Sequence, residues 1–563
     1  MKKIIYGESN FKKININNDY LYVDKTRFIE KLENLGDSFL IFLRPRRFGK
    51  SLFISTLQYY YDENSASEFD DIFQNTYIKA NPTPLKSSFR ILFFEFSGIN
   101  TDGTLDEIFR RFREKIRLSA YRYLDKYGYK NYEKYFEKVE TPAGYIETLF
   151  EIVQNDKIYI LIDEYDQFAN AILAHSMKDF LNIVGKGGFV RSFYEVLKGA
   201  TQSGVVQKMF ITGVTPITLD SLSSGFNIVK HITYSEEFNA LAGFTQREVD
   251  YSLKNSIFER CKDIERDELL EKLKKWYNGY LFNLKSKERI YNATLINYFI
   301  SEYDFKRCEN PKKMLDSNVA SDYRAIMKLF KIGNIDDNYK VLEQLINDNE
   351  ISGVINDRFE LDRGFAQDDF ITLLYSMGFI TIKDELFGEE YLFEIPNYVI
   401  KLLYFNYFAI ELDRRYNLEI YRDIRAILRD LAVGKIEPFI EQLSCVISTL
   451  SNRDHYRFDE KHFQSILLTL VSFASFYFIE SQPEKNNRYP DVLLLRRDEK
   501  VPFNYLFELK WKKQKDNYET IKNEGIKQVK SYLELDSIKN IPDLKSFLLI
   551  GSHKGVEFLE VPL

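Results

Sequence analysis

The sequence predicts an α/β protein in three parts: a parallel N-terminal sheet, a mainly helical middle, and a smaller mixed α/β unit toward the C-terminal end. Three observations carry this expectation. Residues 1–215 alternate helical stretches with short, continuous apolar runs, as expected of strands buried on both faces beneath flanking helices. From about residue 216 the pattern turns mostly helical. Beyond residue 472, strand-like and helical segments alternate again.

The N-terminal strands are read from "SFLIFL" (38–43), "FRILFFEFS" (89–97), "KIYILIDEYD" (157–166) and "QKMFITGV" (207–214). Domain boundaries are expected near 245, 400 and 454. They divide the chain into a nucleotide-binding part (1–245), a helical lid region (246–400), a helical connector (401–454) and a terminal α/β domain (455–563). Within the lid region, "DDFITLLYSMGFITIKDELFGEEYLFEIPN" (368–397) reads as a helix followed by two β-like runs, a winged-helix-like unit. It could touch DNA or pack as a lid, and its acidic hairpin favours packing. The last part is built from "FYFIES", "DVLLLRR", "YLFELKWKK", a helix over roughly 519–534, and "SFLLIGS".

Bulk properties limit the function. A chain of 563 residues is long enough for about three or four folding units, each with its own core. Its 45% apolar and 29% charged residues fit a globular protein, and its net charge of −6 gives no overall attraction to nucleic acid. Any such contact must come from a local basic surface. The aromatic residues, 39 Tyr and 47 Phe, are spread along the chain, which points to core packing over a base-stacking surface. Cys261, Cys308 and Cys445 lie far apart with no CxxC pair, which argues against a disulfide framework and against structural zinc, and fits a reducing, cytoplasmic compartment. The polar start "MKKIIYGESNFKK" gives no secretion signal. "FQSILLTLVSFASFYFI" (463–479) carries no charge and approaches the length of a membrane span, but its Gln, Ser and Thr residues favour a buried helix running into a buried strand.

Two stretches in the first part point to phosphate chemistry. "RPRRFGKS" (44–51) follows a predicted strand and precedes a predicted helix, and it supplies Gly49, Lys50 and Ser51 in the order a P-loop needs. In such a loop, backbone N–H groups and a helix N-terminus cradle the phosphates, Lys reaches the β/γ oxygens, and the hydroxyl ligates Mg²⁺. Arg44 replaces the usual first glycine, and Pro45 holds it extended. "IYILIDEYD" then offers Asp163 as the acid on the Mg²⁺ side and Glu164 as the catalytic base. "MFITGV" ends at Thr212 and Thr215, either of which could sense the γ-phosphate.

"YVDKTRFIEKL", "RPRRFGKSL", "LIDEYD", "FITGVTPI" and "GFNIVKHIT", in this order, resemble the AAA-ATPase-like family of bacterial proteins. The resemblance implies a P-loop NTPase sheet with ATP as ligand, and it makes Arg44 a family variant of the loop. It places Arg46 and Arg47 beside the phosphates, so that Arg44, Arg46, Arg47, Phe48, Gly49, Lys50, Ser51, Asp163 and Thr212 are the expected nucleotide-binding residues.

In "RYPDVLLLRRDEKVPFNYLFELKWKK", a hairpin would bring Asp491 to Glu508 and Lys510, whose spacing of two puts both on one strand face. Converging carboxylates can hold Mg²⁺ for phosphodiester hydrolysis while Lys orients the attacking water. The arrangement is similar to the PD-(D/E)XK nuclease superfamily. That likeness implies Asp491, Glu508 and Lys510 as the catalytic centre, with Asp491 and Glu508 on the metal. It adds Gln528 on the following helix and a further upstream acid, for which Glu480 is the first candidate and His462 the second. Arg488, Arg496, Arg497, Lys510, Lys512, Lys513 and Lys515 cluster around the centre and either face DNA phosphates or guard an edge strand.

The function expected is ATP hydrolysis coupled to a Mg²⁺-dependent nuclease acting on nucleic acid, with DNA the first choice. The alternatives are a nucleotide-switched regulatory protein whose nuclease-like domain only binds, and a DNA-binding ATPase using the winged-helix-like unit. A homo-oligomer is compatible with either course, and no membrane partner is expected. His175, His231, His455, His462 and His553 share no metal-ligand spacing and read as structural or surface residues.

Overall fold

The computed structural model describes residues 2–218, 226–356, 359, 364–416, 424–449, 458–483 and 489–562. The chain divides into two compact units. One is formed by Met1–Asn338 with Ser352–Val399, the other by Tyr339–Ile351 with Ile400–Leu563.

In the first unit a small parallel pair, β1 (Lys3–Ile4) and β2 (Tyr20–Leu21), precedes the main sheet. The main sheet contains β3 (Phe39–Leu43), β4 (Arg90–Glu95), β5 (Ile158–Asp163), β6 (Val206–Gly213) and β7 (Lys230–His231), in the order β4-β5-β6-β3-β7 with parallel pairings throughout. The four apolar runs of the sequence are four of these strands, and β5 is buried along its whole length. β6 lies between β3 and β5. The loop after β3 and the acids after β5 therefore leave the same end of the sheet one strand apart.

β8 (Glu350–Val354), β9 (Thr381–Glu385) and β10 (Glu390–Glu394) form a three-stranded sheet ordered β8-β10-β9, beside the helix Gln367–Ser376. This is the helix-and-hairpin of the winged-helix-like segment, and it packs on residues 281–289 of the same region and, at one turn, on the loop after β3. Thr381 Oγ1 accepts from the Leu281 amide at 2.8 Å, and the Tyr375 hydroxyl donates to the Leu281 carbonyl at 3.1 Å. Arg289 pairs with Glu394 at 2.9 Å. The turn at Gly378 (φ +77°) lies so close to the loop after β3 that a Cβ there would meet Pro45 Cγ at 2.7 Å.

One expectation is corrected here. Cys261 and Cys308 form a disulfide, their Cα atoms 5.8 Å apart although 47 residues separate them in sequence. The absence of a CxxC spacing excludes only near pairs, and the tertiary path of the chain supplies a distant one. Cys445 is free and exposed.

In the second unit β11 (Tyr477–Ser481), β12 (Val492–Arg496), β13 (Asn504–Trp511), β14 (Leu544–Ser552) and β15 (Gly555–Glu560) form one sheet in chain order. Only β13 and β14 pair in parallel, and the helix Tyr518–Leu533 makes the crossover between them. Val529, Tyr532 and Leu533 of that helix pack on Leu493, Leu506 and Leu548 of the sheet. The uncharged stretch 463–479 is a buried helix, Glu460–Val471, that runs into β11. Among the described residues no helix is long and apolar enough to cross a membrane.

Gly378→Ala should strain a left-handed turn and push on Pro45 together, at a cost of about 1–3 kcal/mol. A lower denaturant midpoint for the first unfolding transition, together with weaker binding of a fluorescent nucleotide, is the expected result.

Candidate functional sites

The nucleotide site is built on the loop between β3 and the helix Lys50–Tyr61, whose N-cap is Gly49 at φ +99°. A cavity of about 430 Å³ opens there, lined by Arg46, Arg47, Phe48, Gly49, Lys50, Ser51 and Glu164, and on its other walls by Ile5, Tyr22, Gly243, Phe244 and Asn297. The Lys50 ammonium donates to the loop's own carbonyls, those of Arg44 (2.9 Å) and Pro45 (3.0 Å). Burial lowers its pKa, while the negative charges of Glu164, Asp163 and Asp166 oppose that fall. Lys50 thus lies within the field of the acids at the end of β5.

Those acids are braced from the backbone and from β6. Asp163 Oδ1 accepts from the Thr212 hydroxyl at 2.7 Å and from the Glu164 amide at 3.0 Å. Glu164 adopts φ +52°, a strained conformation for a side chain of its kind, and burial raises its pKa against the pull of Lys50. Asp166, which the sequence reading passed over, is almost fully buried and accepts from the amides of Val214 and Thr215, the Thr215 hydroxyl and the Asn170 amide. Thr212 and Thr215 therefore hold carboxylates.

The arginines of the loop divide their labour. Arg44, expected among the nucleotide contacts, is 1% exposed and does not line the cavity. Its guanidinium donates to the carbonyls of Leu43 (2.9 Å), Thr233 (2.6 Å) and Phe238 (3.2 Å), between the rings of Phe42 and Phe282 at 4.4 and 4.0 Å. Burial pulls its pKa down to about 9, which leaves it charged at neutral pH. Phe48 is buried edge-on against Tyr280. Arg47, at φ +69°, pairs with Asp322 at 2.6 Å, and Asp322 also lines the cavity. Arg46 reaches the cavity wall.

The second site lies where β12 and β13 pair. Asp491 stands just before β12, and its Oδ2 accepts from the Leu509 amide of β13 at 2.7 Å. Lys510 Nζ lies 2.9 Å from Glu508 Oε1. Glu508 is 1% exposed, and its Oε2 is buried with no hydrogen-bond partner, an open position for a cation. Burial, reinforced by Glu508, pushes the Asp491 carboxyl well above its ordinary range; burial likewise raises Glu508, with Lys510 opposing. Burial alone would lower Lys510, but Glu508 and Glu460 outweigh it and hold the ammonium above its usual value.

Glu460, at the first turn of the helix Glu460–Val471, is the upstream acid that contacts Lys510, at 3.3 Å. Glu480 stands on β11 opposite Leu493. His462 is engaged with the helix cap, its Nδ1 2.7 Å from Asp459 Oδ1. The Gln528 side chain is exposed, and Tyr532, one turn further along the same helix, is the buried residue beside Glu508 and Asp491. Neither Glu460 nor Tyr532 carried a signal of its own in the sequence; the i, i+4 relation of Tyr532 to Gln528 could have found it. Of the basic cluster, Arg496 is tied to Asp543 at 3.0 Å, Lys513 and Lys515 are exposed, and Arg488 lies outside the described residues, as does His455. Among the described residues no three His, Cys, Asp or Glu side chains gather as a metal cage. Two carboxylates with an orphaned oxygen still suit Mg²⁺, which is ordinarily held by one or two carboxylates plus water and substrate phosphate.

Residues 5–223 match the family model described as "Predicted AAA-ATPase", and residues 458–552 match that of the PD-(D/E)XK nuclease superfamily. Both resemblances drawn from the motifs hold. A protein of Azotobacter chroococcum mcd 1, described as "Uncharacterized protein in vnfD 5'region", is 25% identical over 317 residues. The match covers 54% of this chain and 53% of that protein, so the chain spans about half the length of the curated relative it matches.

Arg44→Ala would take a donor from the carbonyls of Leu43 and Thr233, while the Phe238 carbonyl keeps the Leu241 amide, and would leave a cavity between two rings, at a cost of about 3 kcal/mol. Restoring the usual glycine with Arg44→Gly should unfold the protein as readily, as a lowered first transition in urea. Asp491→Asn keeps the acceptor for the Leu509 amide and removes one of two crowded carboxylates. In a chelator it should raise the melting midpoint of the second unit by a few degrees, about 1 kcal/mol.

Proposed function

We propose that this chain hydrolyses ATP and, through its C-terminal domain, cuts DNA with the help of Mg²⁺. What supports the reading is that each end of the sequence supplies a cation and two acids of the right kind: Lys50, which shares a cavity with Glu164 and the field of Asp163, and Lys510 beside Glu508 and Asp491.

In the ATPase part, the γ-phosphate competes for Lys50 with the carbonyls of Arg44 and Pro45, and a triphosphate in the cavity draws the ammonium away from them. Ser51 and Asp163 would hold Mg²⁺, with Thr212 fixing the Asp163 rotamer. Glu164 takes the proton of the attacking water; burial raises its pKa, which makes it a stronger base than an exposed carboxylate.

In the nuclease part, Asp491 and Glu508 would hold the metal, which lowers the pKa of a bound water and neutralises charge on the phosphodiester. Lys510 orients the attacking water and stabilises the developing negative charge, held by Glu508 and Glu460. Lys513 and Lys515 beyond β13 meet the DNA backbone.

The test is cleavage of DNA in Mg²⁺ or Mn²⁺ by the wild type, Asp491→Ala and Lys50→Ala, with and without ATP. Asp491→Ala should lose cleavage by more than the roughly 10–100-fold that removal of an outer-shell partner costs, and keep ATP turnover. Lys50→Ala should lose ATP turnover. Cleavage that survives without Asp491 would sink the nuclease assignment.

A further inference from the structure

The nucleotide cavity is not the only space that touches Glu164. A second cavity of about 360 Å³ adjoins it, and Arg46, Glu164 and Gln167 line both. These three side chains are therefore a shared wall. Beyond it the second cavity is bordered by Lys328, Asn100 and Thr101.

Two features distinguish this space from a packing defect. Gln167 Oε1 and Asn170 Oδ1, both from residues lining it, are buried oxygens without a hydrogen-bond partner. Their lining also includes the cations Arg46 and Lys328, while the Asp166 carboxylate is already saturated by amides and a hydroxyl. Cations at the wall and border suit an oxyanion, and the unpaired oxygens of Gln167 and Asn170, reached by a turn of their side chains, suit one that still carries a proton.

Hydrolysis makes such an ion at this wall. Water oxygen bonds to the γ-phosphorus, the bond from that phosphorus to the β–γ bridging oxygen breaks with its electrons leaving on ADP, and the proton lost by water passes to Glu164. The products are ADP and hydrogen phosphate. ADP remaining in the first cavity blocks the way back.

We propose, on the strength of the ATPase reading above, that the second cavity is the exit through which orthophosphate leaves. Arg46 and Lys328 draw the anion across the wall, and Gln167 and Asn170 turn their unpaired oxygens to accept its P–OH.

The experiment separates cleavage from release in the full chain. Cleavage is read by chemical quench of a single turnover, and release by a fluorescent phosphate sensor. Ala171→Trp fills the cavity from the helix Gln167–Leu173, and Lys328→Ala removes an exposed cation at its border. In Ala171→Trp, release should lag cleavage by about tenfold with the cleavage rate unchanged, and in Lys328→Ala by about threefold. If release keeps pace with cleavage in both variants, phosphate leaves elsewhere and the proposal falls while the ATPase reading stands. If cleavage slows together with release, the cavity serves the chemistry or the fold and the proposal also falls. A wild type that cleaves no ATP overturns both readings at the quench step. Should Ala171→Trp fail to fold, Lys328→Ala decides alone.

Discussion

Taking charge out of water is the cost around which this chain is organised. Arg44, Lys50, Asp163, Asp166, Asp491 and Glu508 are all buried, and an uncompensated ion in such surroundings would cost several kcal/mol. The four at the nucleotide site are compensated locally, and mostly by main chain. Carbonyls surround Arg44 and Lys50, and amides and hydroxyls satisfy Asp163 and Asp166. Main-chain partners are fixed by the fold, so the charged groups are held in place before any ligand arrives.

The two sites use the constraint differently. At the nucleotide site nearly every acid and cation has a partner, and the strain sits in the backbone, in left-handed Arg47 and Glu164. At the nuclease-like site the imbalance is electrostatic: Asp491 and Glu508 repel each other, Lys510 offsets part of it, and Glu508 Oε2 is left without a donor. An orphaned carboxylate oxygen in a buried setting is stabilised by a nearby cation.

The exchange of a P-loop glycine for Arg44 follows from the same reasoning. A glycine there provides conformational freedom, whereas Arg44 provides an anchor. Its guanidinium ties the loop to Thr233 and Phe238 and stacks on Phe282, while Gly378 closes on Pro45 from the winged-helix-like unit. The loop is thus held by residues far along the chain, and the acidic hairpin whose tip exposes Phe387 belongs to a unit that meets the loop at Gly378.

Local order along the chain was enough to determine the four main-sheet strands, the loop residues Gly49, Lys50 and Ser51, the Asp163–Glu164 pair, and the Asp491, Glu508 and Lys510 set, because alternation and motif spacing act over a few residues. Buried runs, turn residues and i, i+2 spacing are all short-range. Contacts between distant residues were decided by tertiary structure alone. The Cys261–Cys308 bond, the inward turn of Arg44, the bracing of Asp163 by Thr212, and the approach of Glu460 to Lys510 and of Tyr532 to Glu508 each join segments with no common periodicity. A sequence read one residue at a time records which groups carry charge; which of them face each other is set by how sheets and helices stack, and a single sequence contains no local trace of that.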